Sequence, residues 1–261
     1  MNIFFPKFKQ EIILRRMDFY SDQHGIMNRY LREKLAWDIH LNNTKKFIIN
    51  SCKNQSGGNL VVLGSGWLLD LPIDELCNKF DNIYLVDIIH PNQIKNKFKT
   101  NSKIHFVNAD ITGGLINKAY EIVRFDKKHK EKSLLTAFDL CKYEFDVKPD
   151  FVISLNILNQ LNILIVDYLK RQKIYSDKEL FMLAQSIQNN HLDILPKGKS
   201  CVIFDYEEEL YNEDNEMIGV KPLVFVDFQQ GETEKWQWKF DSKMTYNIDT
   251  KTFLNVVAIN L

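Results

Sequence analysis

Between residues 59 and 205 the chain alternates short apolar runs with segments of helical period. Asn59-Leu60-Val61-Val62-Leu63 is almost wholly apolar and is closed by Gly64. A short run of this kind between turn signals predicts a strand buried on both faces. Strands are predicted in the same way at 83–86, 104–107, 151–155 and 200–204. Helices are predicted over 74–80 and 91–99. Another runs from the capping box of Ser176 and Glu179 to about residue 194, with Leu180, Phe181, Ala184, Ile187 and His191 on one side. The long polar stretch 112–148 is expected to hold a further helix. Strands alternating with helices imply βαβ units, right-handed crossovers and a parallel sheet.

The two ends read differently. Residues 8–50 are predicted to be helical, with Leu31, Leu35 and Ile39 recurring every four residues as the anchoring face. Arg29, Glu33, Trp37, His40 and Thr44 form a second stripe beside it. Trp236-Gln237-Trp238-Lys239-Phe240 alternates with period two, and so in part does 253–259. No helix-length segment separates them, so they are predicted to be antiparallel neighbours. The later one is expected to insert between the fifth strand and the strand at Trp236.

Composition narrows the class. Hydrophobic residues make up 45% of the 261, enough for a substantial core, and 34 basic residues balance 34 acidic ones. That balance lacks the basic excess of a nucleic-acid binder. The run Lys127-Lys128-His129-Lys130 has Asp126 and Glu131 on either side and is read as a solvated segment. Cys52, Cys77, Cys141 and Cys201 lie far apart without a CxxC pair, which argues against a zinc site or a disulfide framework and fits a reducing cytoplasm. Cys201, inside an apolar run, is expected to act as a small core residue. No run approaches the roughly 20 apolar residues of a membrane span, so a soluble chain is expected.

The candidate chemistry follows the first strand. Gly64-Ser65-Gly66 stands between strand and helix, where glycines permit a tight turn and let backbone amides approach a ligand. Asp87 closes the second strand, 21 residues beyond Gly66. At that spacing an acid reaches the ribose hydroxyls of an adenosine-containing ligand. A dinucleotide fingerprint wants glycine or alanine three residues after Gly66, and this chain has Leu69. Asp110 closes the third strand, where an acid can bond an adenine amino group. Asp70 has two readings, N-cap of the next helix or partner of a ligand ammonium group.

This order resembles the class I S-adenosylmethionine-dependent methyltransferase fold. The stretch 61–72, with Leu85-Val86-Asp87, His90-Pro91, Asn156-Ile157-Leu158-Asn159-Gln160-Leu161 and His191-Leu192-Asp193, is similar to a group of bacterial methyltransferase-like proteins. The resemblance implies an α/β, Rossmann-like, seven-stranded, mostly parallel sheet with an antiparallel last strand, over residues 59–261. Residues 1–58 would be an added helical extension or lid on one structural domain. It also implies S-adenosyl-L-methionine as cofactor, with Gly64, Ser65 and Gly66 at the methionine moiety. Asp87 and Ile88 would lie at the ribose, and Asp110 and Ile111 at the adenine. The family loop usually has a third glycine near Leu68, and Trp67 is bulky for a segment that must approach a ligand.

The expected activity is methyl transfer to a small-molecule acceptor. A non-catalytic binding module and, less favoured, a nucleotide-linked oxidoreductase are the alternatives. Acceptor-side candidates must lie at the carboxyl ends of the strands. They are Asn156, which also borders the cofactor, Gln160 and Asp205, followed by Glu207 and Glu208. His191, in the last turn of its helix, reads as a surface or core-edge residue. Trp37 and His40 either line the acceptor pocket as part of a lid, with residues 1–24 dispensable for folding, or pack into the core.

Overall fold

The computed structural model describes residues 7–125, 141–173, 175–228 and 232–261. The basic run at 127–130 lies outside them. The helical front is two helices, α1 (Lys7–Arg16) and α2 (Phe19–Ser51), broken where Asp18 takes a left-handed conformation at φ 67°. Then follow β1 (Asn59–Leu63), α3 (Ile73–Lys79), β2 (Asn82–Asp87), α4 (Asn92–Lys97), β3 (Ile104–Asn108) and α5 (Leu115–Phe125). After these come β4 (Phe151–Leu155), α6 (Ile163–Lys170), α7 (Asp177–Asp193) and β5 (Ser200–Tyr211). The chain ends with β6 (Met217–Pro222), β7 (Thr233–Asp241) and β8 (Lys251–Asn260).

The sheet order is β3-β2-β1-β4-β5-β8-β7, with β1 to β5 parallel and β8 antiparallel to both of its neighbours. The seven strands on this path, with the last one inserted antiparallel, make the class I methyltransferase arrangement. An eighth strand, β6, pairs with β5 beyond this path. It was not expected, because it is largely exposed and shows no buried alternation. Its hairpin also lengthens β5, so Asp205, Glu207 and Glu208 lie within the strand rather than after it. Helix α6 was also unforeseen. Its four consecutive apolar residues have no period, and only the burial of Ile165, Tyr168 and Leu169 reveals the helical face.

Successive residues of the central strands point to opposite faces, which splits the core in two. Val61, Leu63, Val152, Val202 and Phe204 pack with α1, α5, α6 and α7. Leu60, Val62, Ile153, Cys201 and Ile203 pack with Trp37, Phe47 and Ile48 of α2. Helix α7 opens with the expected capping box, Ser176 Oγ accepting from Glu179 N and Glu179 Oε2 accepting from Ser176 N. Of its expected apolar face, Phe181 is exposed, while Leu180, Ala184, Ile187 and His191 are buried.

The largest correction concerns α2. Leu31, Leu35 and Ile39 are 67%, 87% and 65% exposed, so the leucine stripe faces solvent. The buried stripe is Arg29, Glu33, Trp37, His40 and Thr44, continued by Phe47 and Ile48. It packs on β7, where Trp37 Nε1 donates to the Phe240 carbonyl at 3.0 Å. Ile13 and Leu14 of α1, and Met17 just after it, belong to the core, so a deletion of residues 1–24 would remove apolar contacts from it. Because α1 and the second half of α2 serve opposite faces, the first turns of α2 cross the carboxyl edge of the sheet. Among the described residues no helix is long and apolar enough to cross a membrane.

Candidate functional site

A cavity of about 940 Å³ opens at this edge, under the first turns of α2. That is within the usual size of a small-molecule site. Gly64, Ser65, Gly66, Asp87, Ile88, Asp110, Ile111, Asn156, Gln160, His40 and Asp205 all line it. The fold has thus gathered residues 165 positions apart in the chain, from His40 to Asp205.

The glycine turn is required by geometry. Gly64 has φ 81°, and a Cβ there would lie 2.6 Å from the Leu155 carbonyl oxygen. Gly66 N donates to Asp87 Oδ2 at 2.7 Å, and Asp87 Oδ1 accepts only a long bond of 3.4 Å from Ile89 N. Burial holds the Asp87 carboxyl up at about 6, against the backbone donors that favour its charge. Ser65 Oγ pairs with His90 Nε2 at 3.0 Å in a buried contact that braces the loop from behind. Leu68, at φ 56°, occupies the left-handed conformation for which a third glycine is suited. Trp67 lines the cavity as well. Its Nε1 donates to the Gln23 carbonyl at 2.8 Å, and the Gln23 side chain donates to the Ile89 carbonyl. The bulky indole therefore links the loop to α2 at the cavity wall.

Asp110 lines the cavity but also serves the local turn. Its Oδ1 accepts from Thr112 N at 3.0 Å and from Thr112 Oγ1 at 2.5 Å, and its Oδ2 from Ile116 N at 3.2 Å, at the start of α5. A carboxylate has about four lone-pair sites, so capacity for a further donor is left.

Asp70 is not the N-cap of α3, which begins after Pro72 without a side-chain cap. Instead Asp70 Oδ2 accepts from Asn156 Nδ2 at 2.6 Å. Asn156 has φ 47°, a conformation asparagine tolerates better than most residues. Asp205 is 1% exposed, and burial, helped by the Asp70 charge, pushes its carboxyl up to about 7. Its Oδ2 meets Asn159 Nδ2 at 3.5 Å. Three buried oxygens in this cluster have no partner among the described residues: Asn156 Oδ1, Asn159 Oδ1 and Asp205 Oδ1. All three are acceptors, so the cluster is short of hydrogen-bond donors.

His40 is 1% exposed and stacks on Trp238 at 3.9 Å, and burial lowers its pKa to about 3. Its Nδ1 accepts from Trp236 Nε1 at 3.1 Å, so Nε2 carries the proton and faces Asn156, 3.5 Å from Nδ2. A neutral imidazole whose lone pair is already engaged is an N–H donor, not a base. His191 is not at the surface. Its Nε2 pairs with Ser154 Oγ at 2.7 Å inside the core, and burial lowers its pKa to about 4. Gln23, Trp238, Phe240 and Tyr246 also line the cavity. Only the aromatic spacing of β7 hinted at the middle two, and nothing local marked the others.

No protein-family model matches the chain, and no curated protein matches it. Solved structures similar to it include N-methyltransferase NodS from Bradyrhizobium japonicum in complex with S-adenosyl-L-homocysteine. That similarity has 10% identity, TM-score 0.39, and covers 83% of this chain and 85% of the other. A second is an S-adenosylmethionine-dependent methyltransferase from Clostridium acetobutylicum, at 14% identity and TM-score 0.39, covering 93% and 99%. A third is the 1,6-didemethyltoxoflavin-N1-methyltransferase of Burkholderia thailandensis, at 10% identity and TM-score 0.42, covering 100% and 93%.

Proposed function

We propose that the chain is an S-adenosylmethionine-dependent methyltransferase acting on a small molecule that presents an N–H or O–H group. The observation that carries this reading is the meeting, in one cavity, of the Gly64–Gly66 turn and Asp87 with the acceptor-rich cluster of Asn156, Asn159 and Asp205. The residues present fit the cofactor. Gly66 leaves open space toward the cavity, with only Asp87 Oδ2 within 4 Å of where its Cβ would be. Asp87 keeps lone pairs for ribose hydroxyls, and Asp110 keeps one for an adenine amino group.

The bound cofactor would supply an already activated methyl group. The protein's task is then to hold the nucleophile in line at near-attack distance. Asn156 and Asn159 would orient the acceptor through their free carbonyl oxygens. Asp205, held near neutrality, is poised to take the proton that the nucleophile loses, through its unpartnered Oδ1. His40, its lone pair engaged by Trp236, takes no proton. The first turns of α2, tied down through Gln23, would roof the cavity and exclude water from it.

A calorimetric titration with S-adenosylmethionine, S-adenosylhomocysteine and NAD tests the cofactor. Binding of the first two and not of NAD is expected. Binding of NAD alone would replace this reading with the oxidoreductase one. The strained Leu68 keeps the non-catalytic module as a second reading. Cofactor binding without methyl transfer to any N–H or O–H compound would favour it.

A further inference from the structure

One cation of the cavity is buried without an ion pair among the described residues. Arg29 of α2 is 8% exposed and lines the cavity. Its Nε has no hydrogen-bond partner, and no ion pair with a described residue reaches its guanidinium. A buried, unpaired charge is costly, and proteins retain one where a ligand completes it.

Two of the neighbouring acids, Glu33 and Asp241, are already engaged. Glu33 accepts from Ser242 N at 3.1 Å, Ser242 Oγ at 2.6 Å and Lys243 N at 3.1 Å. Asp241 accepts from Thr245 N at 2.6 Å, Thr245 Oγ1 at 3.0 Å and Tyr246 N at 2.5 Å. Asp22, two turns earlier on α2, acts on Arg29 through space without pairing with it. The guanidinium carbon lies 4.4 Å from the ring centroids of both Phe240 and Tyr246, which are 5.2 Å apart. The two rings therefore lie to one side of the guanidinium. Arg29 also lines the cavity, so a ligand held there can reach it.

An aromatic wall joins this cation to the acceptor cluster. Phe240 lies 5.7 Å from Trp37 and 4.9 Å from Trp238, and Trp238 stacks on His40, which faces Asn156. We propose that Arg29 binds a carboxylate on the methyl acceptor, whose flat apolar body lies along Trp37, Trp238 and Phe240 and whose nucleophile reaches Asn156 and Asp205. The acceptor is then an aromatic amino or hydroxy acid. The acceptor's carboxylate is favoured over the cofactor's because the rings beside Arg29 come from β7 and its following turn. β7 stands four strand positions from β1, about 19 Å at ordinary strand spacing. The guanidinium fork suits a carboxylate through two parallel N–H bonds.

The assignment of the carboxylate to a methyl acceptor rests on the function proposed above, but the anion site can be tested apart from it. Benzoate and its uncharged isostere benzamide serve as probes in ligand-observed NMR titrations, with and without saturating S-adenosylhomocysteine. Benzoate is expected to bind at least about tenfold more tightly than benzamide. Arg29→Met should remove that preference while S-adenosylhomocysteine affinity, read by calorimetry, stays within about twofold. Arg29→Lys should restore part of the preference through charge alone. Far-UV circular dichroism and thermal unfolding check that both variants fold. Equal binding of benzoate and benzamide by the parent protein overturns the proposal. So does a loss of S-adenosylhomocysteine affinity in Arg29→Met as large as the loss for benzoate, which would place the cofactor's own carboxylate there. If the parent protein binds no S-adenosylhomocysteine but shows the Arg29-dependent benzoate preference, the carboxylate site stands and the methyltransferase reading falls.

Discussion

Asn156 Nδ2 donates to Asp70 Oδ2 at 2.6 Å, joining the tip of β4 to the loop after β1 across the floor of the cavity. The bond holds Asn156 in a left-handed conformation, so side chain and backbone strain are coupled at one residue. Asn156→Ala loses the bond and keeps the strain, whereas Asn156→Gly loses the bond and relieves it. We expect a destabilisation of about 1–3 kcal/mol for alanine and about 1 kcal/mol less for glycine. Urea unfolding of the two variants side by side checks this, and equal losses would mean that the strain is negligible.

On the proposed function, Asp87 governs the cofactor half. Asp87→Ala should weaken S-adenosylhomocysteine binding by about 1–3 kcal/mol, since ribose hydroxyls would lose their acceptor. The carboxyl is held at about 6, so it is ionised above that pH and protonated below it. Affinity should therefore be flat above about pH 7 and fall as pH drops through about 6. Calorimetry across this range decides the point. An Asp87→Asn variant that keeps the same pH step would show that another group is responsible.

The inverted face of α2 is testable by stability alone. Leu35→Glu changes a side chain that is 87% exposed and should move the unfolding free energy by less than about 0.5 kcal/mol. Trp37→Ala empties a fully buried site and should cost about 3–5 kcal/mol. Chemical denaturation midpoints read both. A large effect at Leu35 would place the leucine stripe in an interface.

Asp205 should make stability depend on pH. Its folded-state carboxyl lies at about 7, above the ordinary carboxylate range. In the window between them the folded chain binds more protons than the unfolded chain, so stability falls as pH rises through it. Asp205→Asn has nothing to ionise and should lose that contribution. We expect the parent's unfolding free energy to decline more steeply than the variant's between about pH 4 and pH 7. Parallel slopes in urea titrations at several pH values would rule out the raised carboxyl.

The sequence by itself determined the parallel core of the sheet and its ends. Leu60 to Leu63 and Phe151 to Leu155 are apolar on both faces, a pattern compatible with interior strands. The glycine turn and Asp87 were equally legible, because strand, turn and acid lie within one βαβ unit and chain spacing alone brings them together. The face of α2 was decided only by tertiary structure. Its apolar stripe of Leu31, Leu35 and Ile39 has the expected period, yet β7 offers Trp236, Trp238 and Phe240, which bury Trp37 and His40 through rings and N–H bonds instead. Hydrophobicity read along a helix cannot register partners that arrive two hundred residues later. The hairpin of β5 and β6 escaped for the opposite reason, since a strand solvated on both faces carries no burial pattern. Asp205 and Asn156 had chemistry visible as letters. The raised pKa of Asp205 and the unpartnered oxygens of both exist only because β4 and β5 lie side by side under α2, where these atoms are buried.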